Sequence, residues 1–228
     1  MKNSFNNYLA TCHLLLYILG KETIVGGQTA TRHAYPWQIR TNQGCGGTII
    51  CPNFVLTAWH CTGQTNPPVI TPARDIRVLV GAHNVAGWVG GRHHEPWATV
   101  HTVLNVYRHP KGIIEDKKTY RYDFALLELR KPIRLWDGAQ PVYLPVLKDL
   151  ASLHPASKFA VSGWGLTQSA LDECLAPWPR GPCVLRVVSL NYYSHNRCPL
   201  QTHGPDEICA AGAPPGDQSS CVGDSGGW

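Results

Sequence analysis

The sequence predicts an all-β protein, a barrel or sandwich of short strands joined by tight turns. Glycine and proline are frequent, 22 and 18 of 228 residues, while methionine occurs once and no long amphipathic run is present. Runs rich in β-branched residues recur along the chain, and turn residues close each one. Apolar residues make up 43% and charged residues 15%, a balance that suits a packed chain and argues against disorder. The length allows one large domain or two small ones sharing an interface.

Residues 1–23 stand apart from the fold as a signal peptide and short activation segment. Lys2 precedes an apolar stretch from Tyr8 to Gly20, shorter than the ~20 residues that span a bilayer and similar to a signal-peptide core. Cys12 and His13 interrupt it and no A-x-A site follows, so a non-native leader is the competing reading. From Ile24 the pattern is β. Strand-like runs cover Thr48 to Thr57, Ile76 to Val80, Val100 to Tyr107, Phe124 to Leu129, Phe159 to Ser162 and Val184 to Tyr193. Asn66-Pro67-Pro68, Gly90-Gly91, Pro110-Lys111-Gly112 and Pro214-Pro215-Gly216 punctuate them. No internal repeat is present, and the Pro-rich stretch from Lys131 to Pro145 reads as a linker between two halves.

The net charge of +5 is mild and its Lys and Arg are scattered, so no nucleic-acid or membrane partner is expected. Nine cysteines occur, none in a C-x-x-C pair. That favours a disulfide framework in an oxidising, extracellular compartment over zinc. An odd count leaves at least one thiol without a partner inside the chain.

Three segments carry chemistry. In Gly223-Asp224-Ser225-Gly226-Gly227 a serine, a poor nucleophile unless activated, sits among glycines that let its hydroxyl project and amide N–H groups converge. Thr57-Ala58-Trp59-His60-Cys61 ends an apolar strand on a histidine, the natural base for a serine at a free pKa near ~6.5. Asp123 leads into the apolar run Phe124-Ala125-Leu126-Leu127, where a carboxylate needs a hydrogen-bonding partner that an imidazole N–H supplies.

Together with Ile24-Val25-Gly26-Gly27, Cys45-Gly46-Gly47-Thr48 and Gly163-Trp164-Gly165, these segments resemble the chymotrypsin-like (trypsin-fold) serine endopeptidases, from Ile24 to the last residue. The resemblance implies two antiparallel six-stranded-type β-barrels packed face to face, the first near 24–135 and the second near 136–228, with the active site between them. It implies Ser225 as nucleophile, His60 as general base and then acid, Asp123 as orienting carboxylate, and the N–H groups of Gly223 and Ser225 as oxyanion hole. Asp224 would pair with the Ile24 ammonium once cleavage frees it. Ser219 would floor the substrate pocket; lacking a counter-charge for Arg or Lys, it implies a preference for large apolar or aromatic residues. Activity is expected to peak at mildly alkaline pH, with His60 neutral and the Ile24 ammonium charged. The same resemblance implies bridges Cys45–Cys61 and Cys198–Cys209, and leaves Cys174 and Cys183 able to pair. Cys12 and Cys221 are left without an assigned partner, and Cys51 is expected to be a buried thiol. No cofactor or metal is implied; the partners are a polypeptide substrate and protein protease inhibitors, and the chain is expected to be a secreted monomer.

The chain departs from the family in places. Thr23 precedes Ile24 where an activating protease usually needs a basic residue. Trp59 replaces a small residue beside the histidine, an overpacking of ~1–3 kcal/mol unless neighbours have shrunk. The family's later strands and terminal helix would lie beyond Trp228. The second barrel is therefore expected to be incomplete, and residues 24–228 to turn over little. A non-catalytic binding module on this fold, or a fragment without function, are the competing readings. His93-His94-Glu95 reads as an exposed loop rather than a metal site. Ala82 stands where calcium-binding relatives carry Glu, so no calcium is expected in that loop.

Overall fold

The computed structural model describes residues 27–65, 68–88, 95–112, 122–165, 182–198, 208–212 and 225–227. Their strands, in chain order, are β1 (Gln28–Thr29), β2 (Gln38–Thr41), β3 (Gly46–Cys51), β4 (Phe54–Thr57), β5 (Gly63–Thr65), β6 (Pro68–Ile70), β7 (Arg77–Val80), β8 (Thr99–Arg108), β9 (Ala125–Leu129), β10 (Lys158–Gly163), β11 (Arg186–Tyr193) and β12 (Cys209–Ala211). Helix is confined to 3₁₀ turns and the short α-helix Leu147–Ala151 among the described residues.

Alternating side chains build a closed antiparallel barrel in the order β2-β3-β4-β9-β8-β7. Strand β9 shows the period of two most clearly: Ala125, Leu127 and Leu129 are buried, while Leu126 and Glu128 are half-buried. The inward set, with Ile39, Ile49, Val55, Val78, Val80 and Val103, fills the barrel. Cys51 and Phe54 pair across the turn Pro52-Asn53, so the single run expected from Thr48 to Thr57 is a hairpin, with a register shift between Ile49 and Cys51.

A second antiparallel sheet holds β10 along one edge of β11, with β1 and β12 sharing the other edge. It packs on the barrel through Leu79, Trp88, Trp164, Leu185 and Val187. The polar side of β2 joins this interface. The Ser162 hydroxyl donates to Gln38 Oε1 at 2.8 Å, and Arg40 Nη1 donates to the Trp164 carbonyl at 3.3 Å. Gln38 and Arg40 are therefore buried although β2 reads as half polar.

The stretch from Lys131 to Pro145 is a strap on the barrel rather than a bare linker. Ile133 and Ala139 enter the barrel core, and Val142 N–H donates to the Ile49 carbonyl at 2.9 Å. Cys45–Cys61 and Cys198–Cys209 are disulfides, and Cys183 is also disulfide-bonded. Cys174, Cys12 and Cys221 lie outside the described residues. Cys51 is a free thiol, half-buried rather than fully buried. Among the described residues no helix is long and apolar enough to cross a membrane.

Candidate active site

Pairing of β4 with β9 sets the site. Thr57 lies opposite Ala125 at the end of the pair, so the residues that follow Thr57 and those that precede Ala125, Asp123 among them, emerge at the same edge of the barrel. After Thr57 the chain leaves the strand through Ala58 and coils into a 3₁₀ turn, Trp59–Thr62, which lifts His60 off the barrel rim. Asp123 then meets His60 twice: Oδ2 lies 2.7 Å from ring Nδ1, and Oδ1 accepts the backbone N–H of His60 at 2.9 Å. The side chains are 29% and 21% exposed, so the pair is partly shielded from water. An ionised carboxylate only accepts hydrogen bonds, so a neutral imidazole here carries its proton on Nδ1 and its lone pair on Nε2.

Ser225 reaches this corner through its backbone. Its carbonyl accepts the N–H of Gly46 at 2.9 Å and lies 3.7 Å from Cys61 Sγ, on the residue that follows His60. The Cys45–Cys61 bridge ties the start of β3 to the histidine turn. Gly226 is pressed against the barrel: a Cβ there would lie 2.4 Å from Thr57 Oγ1 and 2.7 Å from the Gly46 carbonyl, and its φ is +79°. Only glycine combines that conformation with that approach. The glycines of Cys45-Gly46-Gly47 and Ser225-Gly226-Gly227 thus meet face to face. Ile24, Ser219, Gly223 and Asp224 lie outside the described residues.

Sequence reasoning missed the ring cluster behind Asp123. Tyr122 stacks on His109 at 4.7 Å and 16°, and Phe124 lies 4.7 Å from the same imidazole. His109 meets these rings from more than ten residues away along the chain, which no local pattern reveals. Overpacking at Trp59 is avoided because the neighbour that meets its ring is Gly112, where a Cβ would stand 2.7 Å from Trp59 Cδ1. Arg108, at the end of β8, lies 5.8 Å over the Trp59 ring, and burial lowers its guanidinium from the ordinary value.

Glu95 corrects the expectation of an exposed loop. It is buried, and Oε2 accepts the backbone N–H groups of His83 and Asn84. His93 and His94 lie outside the described residues. Burial lowers the pKa of His83 from its ordinary value, with Glu95 opposing the shift and Arg32 and His33 adding to it.

The family model for trypsin matches residues 24–227. The chain belongs to the trypsin family of serine endopeptidases. It is 32% identical over 213 residues to kallikrein-14 of Homo sapiens, covering 90% of this chain and 68% of that protein. It is also 32% identical over 227 residues to cathepsin G of Mus musculus, covering 94% and 76%. Trypsin 5G1 of Aedes aegypti is 34% identical over 215 residues, covering 90% and 69%. As a trypsin-family endopeptidase the protein acts on polypeptides, and the barrel with its packed sheet is that family's fold.

The glycine contact makes a direct test. In a Gly226→Ala variant of this trypsin-family chain the new methyl meets Thr57 and Gly46 and strains the backbone beside Ser225. The rate of Ser225 labelling by a fluorophosphonate is expected to fall by about 10²-fold, the scale of a ~1 Å misplacement. Labelling at the unaltered rate would show that this contact does not position Ser225.

Proposed function

We propose that this chain cleaves peptide bonds with Ser225 as nucleophile, His60 as base and Asp123 as the carboxylate that orients it. The observation that carries the reading is the double hold of Asp123 on His60, with the Ser225 backbone seated one residue away against Cys61. His60 Nε2 takes the hydroxyl proton as Ser225 Oγ attacks the substrate carbonyl. The amide N–H groups of Gly223 and Ser225 receive the oxyanion, each such donor being worth ~10²–10³ in rate. The same proton then passes to the leaving amine, and water repeats the sequence to release the acyl group. Asp123 remains ionised and stabilises the imidazolium.

In this reading cleavage ahead of Ile24 frees an ammonium that pairs with Asp224. Ser219 floors a pocket that favours large apolar or aromatic side chains. Residues 24–135 and 136–228 form the two halves of the peptidase, behind a leader of residues 1–23. Disulfides support an oxidising, extracellular setting. The protein acts as a monomer, open to protein protease inhibitors.

A fluorophosphonate should label the protein once, at Ser225. Ser225→Ala should abolish the labelling and His60→Ala slow it by about 10²–10⁴-fold, the usual worth of a positioned base. Labelling that survives Ser225→Ala, or a native protein that never reacts, would leave a binding module as the better description.

Specificity is read from esters: Phe or Leu substrates are expected to turn over faster than Arg or Lys ones, and the reverse order would reject Ser219 as an uncharged floor.

A further inference from the structure

We propose that Trp59 and Tyr122 are positioning residues, which set the His60–Asp123 hydrogen bond by meeting across Gly112. Trp59 immediately precedes His60 and Tyr122 immediately precedes Asp123. Between them lies Gly112. A Cβ on it would stand 2.7 Å from Trp59 Cδ1, 2.9 Å from the Tyr122 carbonyl and 3.0 Å from the His109 carbonyl. Gly112 does not occupy the left-handed region, so what demands glycine here is space rather than backbone conformation. The ring before the base and the backbone before the carboxylate are thus separated by one residue without a side chain, and any shift of one is felt by the other.

Both ends of this contact are braced from outside. On the Trp59 side, the Thr62 hydroxyl donates to the Trp59 carbonyl at 2.6 Å. Arg108 holds Thr62 through Nε to Oγ1 at 2.6 Å and through Nη2 to the carbonyl at 2.7 Å. On the other side, Tyr122 has a φ of 53°, a conformation that a bulky residue adopts only when its surroundings impose it. The surroundings are visible: its ring stacks on His109, Lys111 Nζ lies 5.8 Å from that ring, and its carbonyl accepts the Phe124 N–H at 2.8 Å. That last bond spans Asp123 and turns it sharply, aiming the carboxylate back at the histidine turn. Neither residue is required to touch substrate. Both act through the geometry of the pair, and their catalytic consequence rests on the function proposed above.

The test is a pair of single variants of the full chain, each followed by two readouts. One is the downfield proton resonance of His60 Nδ1–H, which reports the hydrogen bond to Asp123 without requiring turnover. The other is the fluorophosphonate labelling rate. Gly112→Ala is expected to shift or broaden the resonance and slow labelling by about 10–10²-fold, in keeping with a displacement of up to ~1 Å. Trp59→Ala on its own, which opens the same contact without adding a clash, is expected to broaden the resonance and slow labelling by about 10-fold, as the turn that carries His60 loses its brace. A folded Trp59→Ala protein with an unaltered resonance would overturn the proposal, as would a Gly112→Ala protein with both readouts unchanged. Should Gly112→Ala fail to fold, Tyr122→Gly keeps the question open to decision, since glycine accepts the same φ and only the ring's contacts with His109 and Lys111 are lost. Faster exchange of the His60 proton is then expected, and an unaltered resonance would overturn the proposal. A native protein that shows the resonance but is never labelled would sink the peptidase reading and leave this one standing.

Discussion

Asp123 holds His60 through two N–H groups at once, the ring Nδ1 at 2.7 Å and the backbone N at 2.9 Å. One carboxylate therefore fixes both where the residue sits and how its ring is turned. A single bond to the ring would leave the imidazole able to swing with its backbone; the second removes that freedom. The hold is possible because β4 and β9 are neighbours in register, with Thr57 opposite Ala125. A slip of one residue in that pairing would invert the faces of β9 and take Leu127 and Leu129 out of the barrel core. The core therefore protects the register, and the register delivers the pair.

A second constraint brings in the serine. Its described residues, 225–227, lie in no strand of the barrel and meet it by close backbone approach. Glycines on both sides allow that: Gly46 N–H reaches the Ser225 carbonyl, and Gly226 lies against Thr57 and Gly46. The interface beneath, with Ser162 bonded to Gln38 and Arg40 bonded to the Trp164 carbonyl, holds the second sheet on the barrel. Buried polar pairs of this kind add directional specificity to an otherwise apolar contact.

Much of this was legible in the sequence. The runs that became β7, β8, β9, β10 and β11 alternate or are rich in β-branched residues, and His60, Asp123 and Ser225 each stand in a recognisable local setting. Strand β2 was not legible, because Gln38 and Arg40 are buried by partners more than a hundred residues away and carry no apolar signal. Glu95 misled for a similar reason: beside His93 and His94 it reads as surface, yet it is buried against two backbone amides. The fit of Trp59 was unreadable without Gly112, which lies over fifty residues downstream and looks like an ordinary turn glycine. Local pattern reports strands and motifs, whereas tertiary partners decide which polar residues go inside.

The coupling between Asp123 and His60 is the claim on which the rest stands, and a double-mutant cycle on the labelling of Ser225 measures it. With His60 in place, Asp123→Asn should slow labelling by roughly 10³–10⁴-fold, because the ring loses its preferred tautomer and its support. In a His60→Ala background the same change should cost little, since the carboxylate then has no base to orient. Equal losses in both backgrounds would contradict the account, placing the effect of Asp123 somewhere other than on His60.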